Sequence, residues 1–398
     1  MTAYPKKYLE NLVVLQQAKR WFSRELLTAD QYKAIGDDYR APFYSPNIFI
    51  RIGLFLFGWF SIGSTCGFYW FLIFLGDNNP DQGFVAVSQI IFGIVCIALL
   101  EWVVANKNLY RAGVDDALLY SALFFLTFGI GLLFDYPGIE DKYLFLSSCL
   151  VLLPLFTLAA IRYADTLVTL AALICLCIIF FILILETGEI SKAIMPFAFM
   201  VLSVAIILLS KKYRADERLI VWKNGLVIAE IFGLLLLYTA GNYFVVRECS
   251  VEFFNMHLEE GESIPMGWFF WMLTMGLPLF YIVWGLKKRD KVFLWAGLIL
   301  IGISVVTFRH YYSVAPPEVA LSIAGLVMIV LAYSGVRYFR TGKHGITYVE
   351  EPDEDNFLKE NLEALVIAET LGQTGPSQDK SVGPGGGDFG GGGSEVKY

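Results

Sequence analysis

Ten apolar runs, each about twenty residues long, recur along the 398-residue chain with short polar turns between them. A helix rising 1.5 Å per residue needs roughly that length to cross about 30 Å of hydrocarbon. In such a solvent every backbone N–H and C=O must be satisfied inside its own segment, which leaves helices as the reading for runs of this kind. The runs cover residues 48–75, 84–105, 117–134, 143–162, 166–185, 193–210, 220–246, 266–286, 292–308 and 319–339. They predict an all-α polytopic transmembrane bundle of about ten spans, occupying residues 48–340. The tight turn at 163–165 and the short ninth run are the two cuts on which every later orientation depends.

Composition points the same way. Charged residues make up 17% of the chain and the mean hydropathy is +0.60, against about 25% charged in soluble domains. With 37 acids against 30 bases the net charge is −7, the reverse of a nucleic-acid-binding footprint. The lipid bilayer is the expected partner, and nucleic acid is not.

Loop charges orient the bundle, because cytoplasmic loops are enriched in Lys and Arg. With the N-terminus inside, the inner short loops hold the eleven residues Lys107, Arg111, Arg162, Lys211, Lys212, Arg214, Arg218, Lys287, Lys288, Arg289 and Lys291, whereas the outer loops hold the four residues Lys142, Lys192, Arg247 and Arg309. Both termini are then cytoplasmic. Residues 1–47 are polar and lack the apolar core of a cleavable leader, so insertion falls to the first span. The chain has no Asn-x-Ser/Thr sequon, in keeping with a bacterial inner membrane. Five of the six cysteines lie in apolar runs and read as small hydrophobes; Cys249 is expected in a loop.

Ahead of the first run, residues 8–26 and 29–39 read as a cytoplasmic helical hairpin. Thr28 and Gln31 have the spacing of a capping box. Leu12, Leu15, Ala18, Phe22 and Leu26 form one apolar stripe, and Ala29, Tyr32 and Ile35 begin another. The arrangement of Trp21, Leu26, Leu27, Thr28, Gln31, Ile35 and Tyr39 directly before the first apolar run resembles the N-terminal motif of a bacterial family of predicted multi-pass membrane proteins, catalogued as a domain of unknown function. The likeness covers about seventy residues. It implies an inner-membrane location and a short cytoplasmic preamble, and no activity comes with it. Family members usually have a Gly in the turn where this chain has Arg24 and Glu25.

Beyond the bundle, residues 341–373 form an acidic segment leading into an amphipathic helix at 357–371. Residues 374–398 are a Gly-rich disordered tail. Gly385, Gly387 and Gly390 match a dinucleotide pattern and Asp388-Phe389-Gly390 a kinase tripeptide, but neither has a strand before it or a helix after it.

Charges inside apolar runs are the remaining functional candidates, because a charge in hydrocarbon costs several kcal/mol. Glu230, ten residues into the seventh run, is expected near the bilayer midplane as a proton relay or a neutral hydrogen-bonded carboxyl. Arg51, Glu101 and Lys223 are expected about one turn inside the cytoplasmic boundary, with Glu101 paired to Lys223 or Arg51. Pro154 and Pro278 fall mid-span. His257 has Glu248, Glu252, Glu259, Glu260 and Glu262 around it in the acidic outer loop, a cation site only if those groups converge, and the expected state is a solvated loop; His310 belongs to an aromatic belt with Tyr311 and Tyr312. No nucleophile–base pair, metal site or cofactor site is expected. The sequence therefore reads as a non-enzymatic scaffold or regulator that binds a cytoplasmic protein through its ends, with a secondary transporter or channel built on Glu230 as the alternative.

Overall fold

A computed structural model describes residues 2–312, apart from 45, 77–79, 108, 136–139 and 255–261, together with a few isolated positions farther on. Apart from those positions, which fall in the tenth run, that run lies outside the described residues, as do the acidic segment, the amphipathic helix, the tail and His257. Within them the protein is helical, with one isolated bridge between Tyr44 and Leu109 and no strand.

The hairpin comes first, as α1 (Lys6–Ser23) and α2 (Ala29–Asp38). Its capping box is complete: the Thr28 hydroxyl accepts from the Gln31 N–H at 3.3 Å, and the Gln31 side chain accepts from the Thr28 N–H at 2.9 Å. Glu25 in the turn has φ 57°, the left-handed conformation that Gly adopts at least cost. The apolar stripe of α1 is only partly used. Leu9 and Ala18 are buried, while Phe22 is exposed and stacked on Tyr32 at 4.8 Å, and Leu26 is 67% exposed.

Nine helices among the described residues are long and apolar enough to cross a bilayer. They are α3 (Ile48–Gly76), α4 (Gln82–Lys107), α5 (Val114–Phe134), α6 (Asp141–Tyr163), α7 (Thr166–Leu185), α8 (Ser191–Arg214), α9 (Lys223–Gly241), α11 (Gly267–Lys288) and α12 (Lys291–Tyr311). Both doubtful cuts hold: Ala164, at φ 52°, reverses the chain between α6 and α7, and α12 is a full helix. Sequential neighbours pack closely where small residues permit it. A methyl added to Gly93 of α4 would come within 3.0 Å of the Ala122 carbonyl of α5, and one on Gly297 of α12 within 2.9 Å of the Pro278 carbonyl of α11.

The seventh run needs correcting. It does not continue to 246: α9 stops at Gly241, Asn242 is extended at φ −77° and ψ 125°, and a separate helix α10 (Tyr243–Phe254) follows. Cys249 consequently lies in α10, half-buried, and not in a loop.

Candidate functional site

Acid–base pairing at one end of the bundle organises the charged residues. Here α3, α5, α7, α9 and α12 begin, and α4, α6, α8 and α11 end. Three stations of charge lie there, each joining helices distant in sequence.

At the first station the Arg51 guanidinium of α3 donates to the Asp116 carboxylate of α5 at 2.6 and 3.1 Å. Its neighbour Asp115 folds back to accept from the N–H groups of Ala112 and Gly113 at 2.9 and 3.0 Å. This capping holds the 110–113 loop against α3, where Gly113 has φ 103° and a Cβ would collide with the Arg51 carbonyl. Tyr4 and Tyr110, ring to ring at 4.9 Å, close the inner side. Burial pushes both phenols above their usual range, with Asp115 and Asp116 adding to the effect.

At the second station Glu101 of α4 accepts two bonds from Arg162 of α6, at 2.6 and 2.7 Å, and one from the Tyr163 hydroxyl at 2.5 Å. The parallel arrangement is the strong, fork-like form of the Arg–carboxylate pair. This corrects the expected pairing of Glu101 with Lys223 or Arg51. Depth along the axis was shared, but rotation of α4 turns Glu101 toward α6.

The third station surrounds Glu230, which is fully buried. Its carboxylate lies 2.7 Å from Arg214 and 3.5 Å from Lys211, both at the end of α8. The same two cations reach Asp290 at 3.6 and 3.1 Å. Asp290 in turn caps α12 by accepting from the Val292 N–H at 3.1 Å, and the Lys211 ammonium sits 3.8 Å above the Phe293 ring. Two cations and two anions thus form a neutral cluster joining α8, α9 and the α11–α12 turn. Neither Glu230 oxygen has a partner with hydrogen-bond geometry, so attraction between charges holds the carboxylate. Glu230 stands seven residues into the 19-residue α9, about 10 Å along its axis, and Arg214 and Lys211 at the end of α8 reach it there.

Lys223, the first residue of α9, joins none of these pairs. It lines a cavity with Arg51, described below.

A second polar constellation, invisible in the charge pattern, lies deeper in α9, α11 and α12. The Asn242 amide donates to the Tyr238 hydroxyl at 2.9 Å and to the Thr307 hydroxyl at 3.3 Å, and Tyr238 and Ser304 share a hydrogen bond of 2.8 Å. The Asn242 carbonyl caps α10 by accepting from the N–H groups of Phe244 and Val245. Pro278 lacks an N–H and so frees the Thr274 carbonyl one turn earlier. Ser304 supplies the missing donor at 2.7 Å, and the Thr274 hydroxyl accepts from the Tyr243 N–H at 2.9 Å. Asn242, Thr274, Ser304, Thr307 and Tyr238 are all buried. The available signals were the Gly241-Asn242 step inside an apolar run and a Pro paired with hydroxyls on neighbouring helices.

Among the described residues no group of three His, Cys, Asp or Glu side chains converges as a metal site would. His310 packs edge-on against Phe244 and Tyr311. Protein-family models, curated proteins and solved structures yield no match to this chain.

Proposed function

We propose that the chain is an integral multi-pass protein of a bacterial inner membrane, with both termini cytoplasmic, acting as a non-enzymatic scaffold or regulator that binds a cytoplasmic protein. The eleven-to-four bias of Lys and Arg supports the orientation. In that orientation the three charge stations face the cytoplasm. The N-terminal resemblance to a bacterial membrane family fits this placement.

One observation carries the partner-binding reading: the hairpin is capped and ordered, yet it leaves large apolar side chains uncovered at its tip. Trp21, Phe22 and Leu26 are exposed there, Tyr39 is exposed at the far end of α2, and α2 buries none of its residues. Exposed aromatic anchors on a preorganised element are what an interface uses. The test is capture of the tagged full chain from native membranes, with wild type beside Trp21→Ala/Leu26→Ser. A stoichiometric cytoplasmic partner lost in the variant supports the reading; identical recovery from both opposes it. Topology is checked separately by periplasm-active reporters, expected to give signal after Asn79, Glu259 or Ala315 and none after Arg111, Arg214 or Arg289.

The alternative, a secondary transporter or channel, is favoured by one feature: α9 carries a buried carboxylate, Glu230, and breaks at Asn242 beside polar side chains, as substrate-binding helices of transporters do. Loss of a growth phenotype in Glu230→Gln with undiminished melting temperature would move the preference to transport.

A further inference from the structure

Beneath α1 lies a cavity of about 600 Å³, bounded by α1, the start of α3, the 110–111 loop and the start of α9. Its size falls in the range of sites for small organic ligands. The wall contributed by α1 is one helix face, running from Leu9 through Val13 to Arg20. The lining is split by chemistry. Leu9, Val13, Ile48, Val221 and Val227 make an apolar side, while Arg20, Arg51, Arg111 and Lys223 supply four cations and no acid lines the space.

The charges do not cancel internally. Only Arg51 has an acidic partner, Asp116. Among the described residues Arg20, Arg111 and Lys223 pair with no carboxylate, and Arg111 merely approaches the Tyr110 ring at 5.5 Å. Arg111 is also held in place. It has φ 51°, and the loop around it is fixed by the Asp115 bonds and by Gly113 pressed on α3. Three uncompensated cations around a half-apolar cavity match a ligand with an anionic head and a hydrocarbon body.

We propose that this cavity binds a phosphate group, and that its source is an anionic phospholipid whose headgroup meets Arg20, Arg111 and Lys223 while its chains follow the apolar wall. The proposal rests on the membrane reading above, which puts the cavity at the level of the inner-leaflet headgroups, where basic pockets between helices take such lipids. The hairpin would then be seated partly on lipid. This also gives Arg51 and Lys223 a common place, which their equal depth in sequence suggested without naming its purpose.

The test uses the full chain purified in a mild neutral detergent. Native mass spectrometry follows retention of phosphatidylglycerol against phosphatidylcholine of identical chains, with and without millimolar inorganic phosphate. Wild type should retain phosphatidylglycerol at least about tenfold better, and inorganic phosphate should leave that ratio unchanged. Arg20→Gln/Arg111→Gln/Lys223→Gln should abolish the preference, and Lys223→Gln alone should reduce it if the triple variant does not fold. The charge-matched Lys212→Gln/Lys287→Gln/Lys288→Gln should keep it. Equal retention by wild type and by the folded cavity variant, whether triple or single, or equal loss in the charge-matched control, overturns the site. Displacement of the lipid by inorganic phosphate overturns the lipid as its source. Release of the chain from native membranes by alkaline carbonate would refute the membrane reading itself, independently of which lipids are retained.

Discussion

From α3 to α7 the packed interior is apolar, centred on residues such as Leu100, Leu119, Leu123, Phe125 and Leu152, and charge stays at one end, in the partly exposed Arg51–Asp116 and Glu101–Arg162 pairs and in a buried Asp115 satisfied by the N–H groups of Ala112 and Gly113. From α8 to α12 the apolar cluster is smaller, and the interior admits a buried carboxylate and a chain of hydroxyls and an amide around Asn242. The difference shows where one-sided changes should do damage. Rim pairs can fall back on water when broken, whereas loss of Glu230 leaves two cations sharing the one anion Asp290, and loss of Asn242 strips a buried donor from Tyr238 and Thr307.

The strongest way to break this contrast is Glu230→Gln, which leaves Arg214 and Lys211 facing Asp290 alone. We expect a loss of about 3 kcal/mol, read as the largest drop in melting temperature in detergent. Adding Lys211→Met restores neutrality and should recover at least half of it; a silent single variant would show that the cluster is decorative. Next comes Asn242→Ala, which uncaps α10 and strips a donor from Tyr238, at about 1–2 kcal/mol. If hydrogen exchange at Phe244 and Val245 stays as slow as in wild type, the cap has been misassigned. Glu101→Gln should cost less, about 1 kcal/mol, because solvent reaches the pair; an effect matching that of Glu230→Gln would erase the distinction between the halves. Smallest is Thr28→Ala, worth about 0.5 kcal/mol within the exposed α2 and felt only there. Amide protection of Gln31 should fall while global melting stays put.

The helices were legible in sequence to within a few residues because hydropathy sums over a window, and a window of twenty apolar residues has few other solutions. What that sum cannot register is a single residue leaving helical φ/ψ. The Asn242 break hides for this reason: from Tyr238 to Val246 the apolar neighbours outweigh the Gly241-Asn242 step in the window sum. Pairing was illegible on different grounds. Depth follows from position along a helix, but partner choice depends on rotation about the axis and on which helices adjoin. Glu101, Arg51 and Lys223 share a common level in the sequence, whereas the partners that the structure supplies, Arg162 and Arg214, count there among the inner-loop charges, and Asp116 lies just ahead of the third run and enters no candidate set. The tip of the hairpin shows a third kind of gap, since a helical stripe predicts that one face is apolar without saying how far a neighbour covers it.

The length of α3 carries its own consequence. At 29 residues it extends about 43 Å, well beyond the hydrocarbon thickness of a typical bilayer. Of its side chains only Cys66 is buried, alongside Gly58, while Phe57, Phe60 and Phe68 point away from the rest of the protein. Beyond the Arg51–Asp116 pair it is held by a few contacts with α4, Tyr69 on Ser88 and Phe92 and Trp70 on Phe84, and a long rod so sparsely buried can lean to match its surroundings without prising open a packed core. In membranes of graded thickness α3 is therefore the element that should absorb hydrophobic mismatch, tilting more in thin bilayers. Because its foot is tied through Arg51 to Asp116, that lean would be felt where α1 and the 110–111 loop meet.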